Sequence, residues 1–359
     1  MINVTKTYLP SKELYKLYVD QIFESGWITN SGAFVNKLEH ALCNYLGVEH
    51  LLLVSNGTLA LQVCFKALGL TGEVITTPFS FVATTSALDW EKLKPVFADI
   101  NSKTFNIDPK SVKEKITPNT SAVLPVHVFG NACEVNELES ICTESGIKLI
   151  FDAAHAFDVK DSKTNVLNYG DASILSFHAT KIFHTIEGGA IIFRKKEDYD
   201  KAKLMINFGI SDYDRVDGPG INCKMNEFQA AMGLAMLPEM PTIIQARKEI
   251  WERYYLEFSE NDSVYFQNTN PSFNQNYGYF PVVFKNEETL LKVKFELNNN
   301  GIYPRRYFYP SLNELNYLED YQPCPLSENL VKCILCLPIY PGLKSEELEQ
   351  IISIINKIL

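Results

Sequence analysis

A chain of 359 residues accommodates about two domains, or one large α/β domain with an appendage. Hydrophobic residues at 46% and charged residues at 21% are the balance of a folded globular protein and exclude a disordered one. With 33 Lys and Arg against 43 Asp and Glu the net charge is −10, which argues against nucleic acid as a partner but allows a nucleotide at a locally basic site.

The opening stretch MINVTKTYLPSKELYKLYVDQIF has no basic region followed by an apolar core, so no secretory leader is expected. No run approaches the ~18–20 apolar residues that span a bilayer. From about residue 50, short apolar strands alternate with helical stretches. HLLLVSN (50–56) reads as a strand and GTLALQVCFKALGL as the helix after it. EVITTP (73–78) is a strand, SFVATTSALDWEK a helix and KPVFADI (94–100) a strand. SAVLPVHVFG (121–130), IKLIFDAA (147–154), SILSFH (173–178) and GGAIIF (188–193) continue the strands, with EVNELESICTESG as an intervening helix. Strands apolar at almost every position and separated by helices predict a mostly parallel sheet covered on both faces.

Beyond Lys195 the texture changes. MNEFQAAMGLAML (225–237) is helical, and a long amphipathic helix follows over TIIQARKEIWERYYLEF (242–258). YGYFPVVF predicts a strand, ETLLKVKFELNNNG a helix closed by Gly301, and SEELEQIISIINKIL a last helix. The change sets a large domain over 1–240 and a smaller α+β domain over 241–359. Eight scattered cysteines favour free thiols in a reducing cytoplasm. Cys333 and Cys336, with Cys324 upstream, have the short spacing of zinc sites. LVKCILCLPIY nevertheless reads as a buried strand, and no second pair supplies the other ligands, so no metal is expected.

Four features fall at strand ends, where open α/β sheets bind ligands. Ser55-Asn56-Gly57-Thr58 joins a strand to a helix, whose first N–H groups and positive end receive phosphate. Gly57 admits a close approach and Thr58 adds a hydroxyl, although such residues also serve as an ordinary N-cap. Thr77-Pro-Phe-Ser-Phe81 brings a ring to a strand end, able to cover a planar ligand or to fill core. Asp152, in FDAAH, ends an apolar strand; a buried carboxylate needs a positive partner, such as a protonated pyridine, or a loop to cap. Lys181 lies between SILSFH and the pair Gly188-Gly189. In a partly desolvated crevice its amine loses a proton readily and attacks an aldehyde; on an open surface it is merely solvated. Phosphate turn, aromatic, acid and lysine, in that order, are what pyridoxal 5′-phosphate requires.

These segments resemble the DegT/DnrJ/StrS family of sugar aminotransferases. The likeness runs from Gly26-Trp-Ile-Thr-Asn-Ser-Gly32 through VSNGTLAL, VITTPFSFVATTSAL, PVHVFGN and FDAAHAF to SFHATKIFHTIEGGAI and INCKMNEFQAAMGL. It implies the aspartate-aminotransferase type I fold, an α/β large domain with a mostly parallel sheet plus a smaller C-terminal α+β domain. It also implies Lys181 as the amine that joins the cofactor aldehyde and shuttles the proton, and Asp152 as partner of the ring nitrogen. His155 would lie beside the ring hydroxyl and Phe81 would stack on the ring. Gly57, Thr58 and Ser176 would hold the phosphate, while Asn222 would reach the phosphate of the neighbouring subunit's cofactor in a homodimer. Asn222-Cys-Lys-Met225 stands where the family often has Asn-Tyr-Arg-Met.

Within the family, SFHATKIFHTIEGG and Tyr303-Pro-Arg-Arg-Tyr-Phe-Tyr-Pro-Ser-Leu312 are most like members that aminate a dTDP-4-keto-6-deoxyhexose, with glutamate as donor, for surface polysaccharide. Amination of a 3-keto-6-deoxyhexose nucleotide is the nearest alternative and a non-catalytic regulator a more distant one; Lys181 and Asp152 together favour the enzyme. Family members that dehydrate the sugar carry His at the lysine position, so Lys181 favours transamination. Arg305 and Arg306, amid Tyr303, Tyr307 and Tyr309, are candidate ligands for the nucleotide sugar, with a surface arginine pair as the structural alternative. His184 is either a sugar contact or a loop-packing histidine.

Overall fold

The computed structural model describes every residue of the chain except Glu319. Ahead of the first expected strand lie β1 (Ile2–Asn3), α1 (Lys12–Ser25) and α2 (Ala33–Leu46). Ser11 starts α1 by accepting the Leu14 N–H at 3.2 Å, and Gly26, at φ 66°, ends it. Leu38, Leu42 and Leu46 recur every fourth residue along α2 and form its buried stripe.

The alternating series follows as β2 (His50–Val54), α3 (Gly57–Ala67), β3 (Glu73–Thr76), α4 (Ala83–Trp90) and β4 (Lys94–Phe97). It continues through α5 (Pro109–Lys115), β5 (Thr120–Leu124), α6 (Val135–Ser145), β6 (Lys148–Asp152), β7 (Ala172–Ser176) and β8 (Gly189–Phe193). Then come α7 (Lys196–Met205), the hairpin β9 (Ile210–Asp212) and β10 (Arg215–Val216), α8 (Glu227–Met236) and α9 (Met240–Phe258). The chain closes with β11 (Val264–Tyr265), β12 (Pro281–Phe284), α10 (Glu287–Asn299), β13 (Ile302–Tyr303), α11 (Pro325–Cys333), β14 (Ile334–Cys336) and α12 (Ser345–Asn356).

Strands β2 to β8 form one sheet in the order β2-β8-β7-β6-β5-β3-β4. Neighbours are parallel except around β8, which is antiparallel to both β2 and β7. Side chains alternate between faces with the two-residue period of a strand. Leu51 and Leu53 of β2 join a core with Leu38 of α2, Leu138 of α6 and Ala230 of α8. Leu52 and Val54 join a second core with Leu61 and Phe65 of α3 and Ala202 of α7. Helices therefore cover both faces, which explains strands apolar at nearly every position.

Two expectations change. The strand over 121–130 stops at Leu124, because Pro125 has no N–H to donate; the ladder resumes only as an isolated bridge between Val126 and Asp152 before a turn at Val128–Gly130. LVKCILCLPIY is not one strand. Pro325 begins a helix that buries Ser327, Leu330 and Val331 on one side and runs to Cys333, leaving only Ile334–Cys336 extended. A short apolar run has no period to separate the two states.

The C-terminal region packs α9, α10 and α12 around the three-stranded antiparallel sheet β11-β12-β14. Helix α9, which begins at the division expected near residue 240, sends Met240 and Ile243 into the first core and Tyr254 and Phe258 into this third one. Ile2 and Asn3 pair in parallel with Ile302 and Tyr303, so the first residues lie with the C-terminal layer and not with the large sheet.

Candidate active site

The parallel strands present their carboxyl ends along one edge of the sheet, and β8, running the opposite way, starts there. At that edge β2 turns into α3. Asn56 caps the helix by accepting the Leu59 N–H at 2.9 Å, and the N–H groups of Gly57 and Thr58 have no acceptor within the helix. A Cβ on Gly57 would lie 3.1 Å from Cβ of Ser176, and one on Gly189 would lie 2.8 Å from the Asn56 carbonyl carbon. The two glycines therefore let the helix start, the end of β7 and the start of β8 meet. Donor N–H groups and the Ser176 hydroxyl converge there, a setting suited to phosphate.

Asp152, at the end of β6, is buried. Its Oδ2 accepts the Thr84 hydroxyl of α4 at 2.8 Å, its Oδ1 accepts the Ala154 N–H at 3.1 Å, and Thr84 is bonded in turn to Ser80 at 2.8 Å. Burial raises the Asp152 pKa above the usual carboxylate range, while the two donors and the charge of Lys181 pull the other way. A cation placed before this carboxylate would favour its ionised form.

Lys181 follows β7, half-buried, and burial lowers its pKa to about 8 against the opposing influence of Asp152. Its Nζ donates to the hydroxyl of Tyr279 at 3.3 Å. The Nδ1 of His155 accepts the Phe129 N–H at 3.3 Å, and burial holds the ring neutral. The proton of that ring therefore sits on Nε2, which makes His155 a donor.

These groups line one cavity of about 360 Å³. Gly57, Thr58, Phe81, Asp152, His155, Ser176, Lys181 and Arg305 are on its wall with Tyr307, joined by Ser80, Thr84 and Tyr279, which the sequence did not single out. The run Thr84-Thr85-Ser86 in α4 was the one sequence signal for them, and its first two hydroxyls prove to be fully buried. Tyr279 had none, because it reaches Lys181 from 98 residues away.

The remaining candidates lie elsewhere. Arg306 pairs with Glu287 at 2.6 Å, donates to the carbonyls of Val331 and Lys332, and stacks 3.8 Å over Tyr309. Arg306 thus ties the C-terminal layer together, and neither it nor Tyr309 walls the cavity of this chain. Of the two roles open to His184, its surroundings favour packing: it is buried, its Nε2 donates to the Tyr8 carbonyl at 2.7 Å and its Nδ1 accepts the Ile186 N–H at 3.2 Å. Both ring nitrogens are taken by backbone, so it packs the loop. Asn222 lies outside the cavity, bridged to Asn207 beyond the β9–β10 hairpin, and Lys224 donates to Asn207 Oδ1 at 2.7 Å.

The sequence signature of the DegT/DnrJ/EryC1/StrS aminotransferases matches residues 11–356. The chain belongs to that family. A dTDP-4-amino-4,6-dideoxy-D-glucose transaminase of Shigella dysenteriae is 41% identical to it over 362 residues, covering 99% of each chain. The solved structure of DesI in the presence of its TDP-sugar product superposes with a TM-score of 0.94 at 31% identity, over 99% of this chain and 92% of DesI. NtdA from Bacillus subtilis with bound cofactor PMP superposes with a TM-score of 0.89 at 26% identity, over 96% of this chain and 81% of NtdA. This aminotransferase therefore acts on a nucleotide sugar and depends on pyridoxal 5′-phosphate. Among the described residues no helix is long and apolar enough to cross a membrane. The cavity fits the cofactor: free helix-start donors suit its phosphate, a buried acid its ring nitrogen, Phe81 its face and Lys181 its aldehyde.

Proposed function

We propose that this aminotransferase moves the amino group of glutamate to C4 of a dTDP-4-keto-6-deoxyhexose, giving dTDP-4-amino-4,6-dideoxyglucose. The observation that carries the choice of sugar is the full-length likeness to a transaminase named for that product. In this reading Gly57, Thr58 and Ser176 hold the cofactor phosphate, and Asn222 of a second subunit completes that site. Phe81 flanks the ring, and the His155 Nε2–H donates to the ring oxygen.

Bound pyridoxal phosphate supplies an aldehyde that takes up the amino group and a cationic ring that draws electrons from the donor's Cα–H bond. Asp152, oriented by Thr84 and Ala154, keeps the ring nitrogen protonated. Lys181 Nζ, with its pKa lowered to about 8, takes the proton from the donor Cα and delivers one to C4 of the sugar in the other half-reaction. Arg305, stacked 5.3 Å over Tyr307 on the cavity wall, faces the two negative charges of the nucleotide sugar.

Offering dTDP-4-keto-6-deoxyglucose and its 3-keto isomer with glutamate tests the choice of sugar. Mass and NMR analysis should find a 4-amino product, with parallel initial-rate lines because both half-reactions share one site. A 3-amino product alone, or intersecting lines, would overturn the reading.

A further inference from the structure

We propose that Tyr279 positions the reacting amine: its hydroxyl holds Lys181 Nζ in place in the cavity. The inference rests on the reading of Lys181 as that amine. Tyr279 is the one protein hydrogen-bond partner of Nζ among the described residues, at 3.3 Å. A lysine amine rides on a flexible four-carbon stem, and transfer between two carbons demands that it stay within reach of both. A hollow of about 10 Å³, the scale of one water, adjoins Lys181 between Ser176, Thr180 and Tyr279.

The hydroxyl is itself fixed by the chain around it. Asn276, buried just ahead of it, donates to the carbonyls of His155 and Phe157 at 2.8 and 2.9 Å and accepts the Gly278 N–H at 3.1 Å. Arg247, buried on α9, donates to the Gly278 carbonyl at 3.2 Å and the Ile339 carbonyl at 3.0 Å. The Tyr279 ring packs 4.6 Å from His155 and 5.4 Å from Phe129. The segment before β12 is thereby strapped to the loop that carries His155 and Phe157, which sets the Tyr279 ring beside Lys181.

A phenol suits this task better than a carboxylate. Burial raises the Tyr279 pKa, so the group stays uncharged. Its oxygen accepts an N–H from the ammonium and its O–H can donate to the free amine, so it holds either state and does not lock the lysine in the protonated one as an acid in contact would. Removing the hydroxyl takes a charge-assisted bond from the ammonium and a weaker neutral one from the amine, so the net effect disfavours the charged form.

Tyr279→Phe keeps the ring and its packing and tests the inference. In the cofactor-free protein, trace labelling with acetic anhydride across pH reports the titration of Lys181. It should shift down by about half to one unit in the variant. With cofactor restored, kcat should fall about ten- to a hundredfold, with KM for glutamate and sugar little changed. Borohydride trapping and peptide mapping separate the two claims. A label on Lys181 with a parental titration and kcat in Tyr279→Phe overturns the role of Tyr279 alone. A label on another amine overturns the reading of Lys181, and the inference with it.

Discussion

Asp152 carries a charge that the polypeptide alone leaves without a cation in contact. Thr84 and the Ala154 amide favour the anion, but burial outweighs them and the folded-state pKa lies above the ordinary value. The stability linked to the protonated acid is therefore complete below the ordinary carboxylate pKa and is lost as pH rises through the raised one. Asp152→Asn should remove this dependence and leave the cofactor-free protein at least as stable as the parent at pH 7. The same variant should lose about a hundredfold or more in turnover, because the ring nitrogen no longer meets an anion. Melting curves of both cofactor-free proteins from about pH 4, near the ordinary carboxylate value, up to 8, with turnover beside them, check the pair of effects; parental turnover would remove Asp152 from its role. The acid and the lysine were legible as polar residues at the ends of apolar strands. Thr84, which orients the acid, was visible only as a hydroxyl in a helix that did not need one.

The start of α3 shows how an element builds a site. Asn56 spends its side chain on the Leu59 N–H, which leaves the two preceding N–H groups for a ligand, while Gly189 lets β8 pass against them. Gly189→Ala sets a methyl 2.8 Å from the Asn56 carbonyl carbon and 2.9 Å from the Gly57 nitrogen, distances that force the helix start to move. Cofactor affinity should fall at least about tenfold, since helix-start donors lose their aim within a fraction of an ångström. Equilibrium titration of the cofactor-free variant measures this, and parental affinity would show that the close approach is irrelevant to phosphate. Most elements were legible because buried strands and amphipathic helices have different apolar periods. The region around Cys333 was not, because helix α11 ends and β14 begins within a single apolar run.

At the scale of the molecule, the β9–β10 hairpin and its flanks expose Phe208, Tyr213, Val216 and Ile221, an apolar edge beside Asn222. In the proposed homodimer this edge would meet the second subunit and Asn222 would serve the opposite cofactor site. Under that arrangement Lys181→Ala chains and Asn222→Asp chains, each weakly active alone, should regain about a quarter of parental activity when unfolded and refolded together, because each mixed dimer holds one intact site. Absence of recovery, with mixed dimers verified by mass, would place each site within a single subunit.

The order of phosphate turn, aromatic, acid and lysine, and the alternation of strand and helix that puts them on one edge, were determined by the sequence itself. Both depend on local periodicity and on residues within a turn of a strand end. Tertiary structure alone decided which of two adjacent arginines walls the cavity, since Arg306 is drawn off by Glu287 from another element. It likewise decided that backbone groups occupy both nitrogens of His184, and that Tyr279 meets Lys181 across the boundary between two layers. Such contacts join segments far apart in the chain, and their geometry follows from how separate cores pack together, which no local spacing of residues encodes.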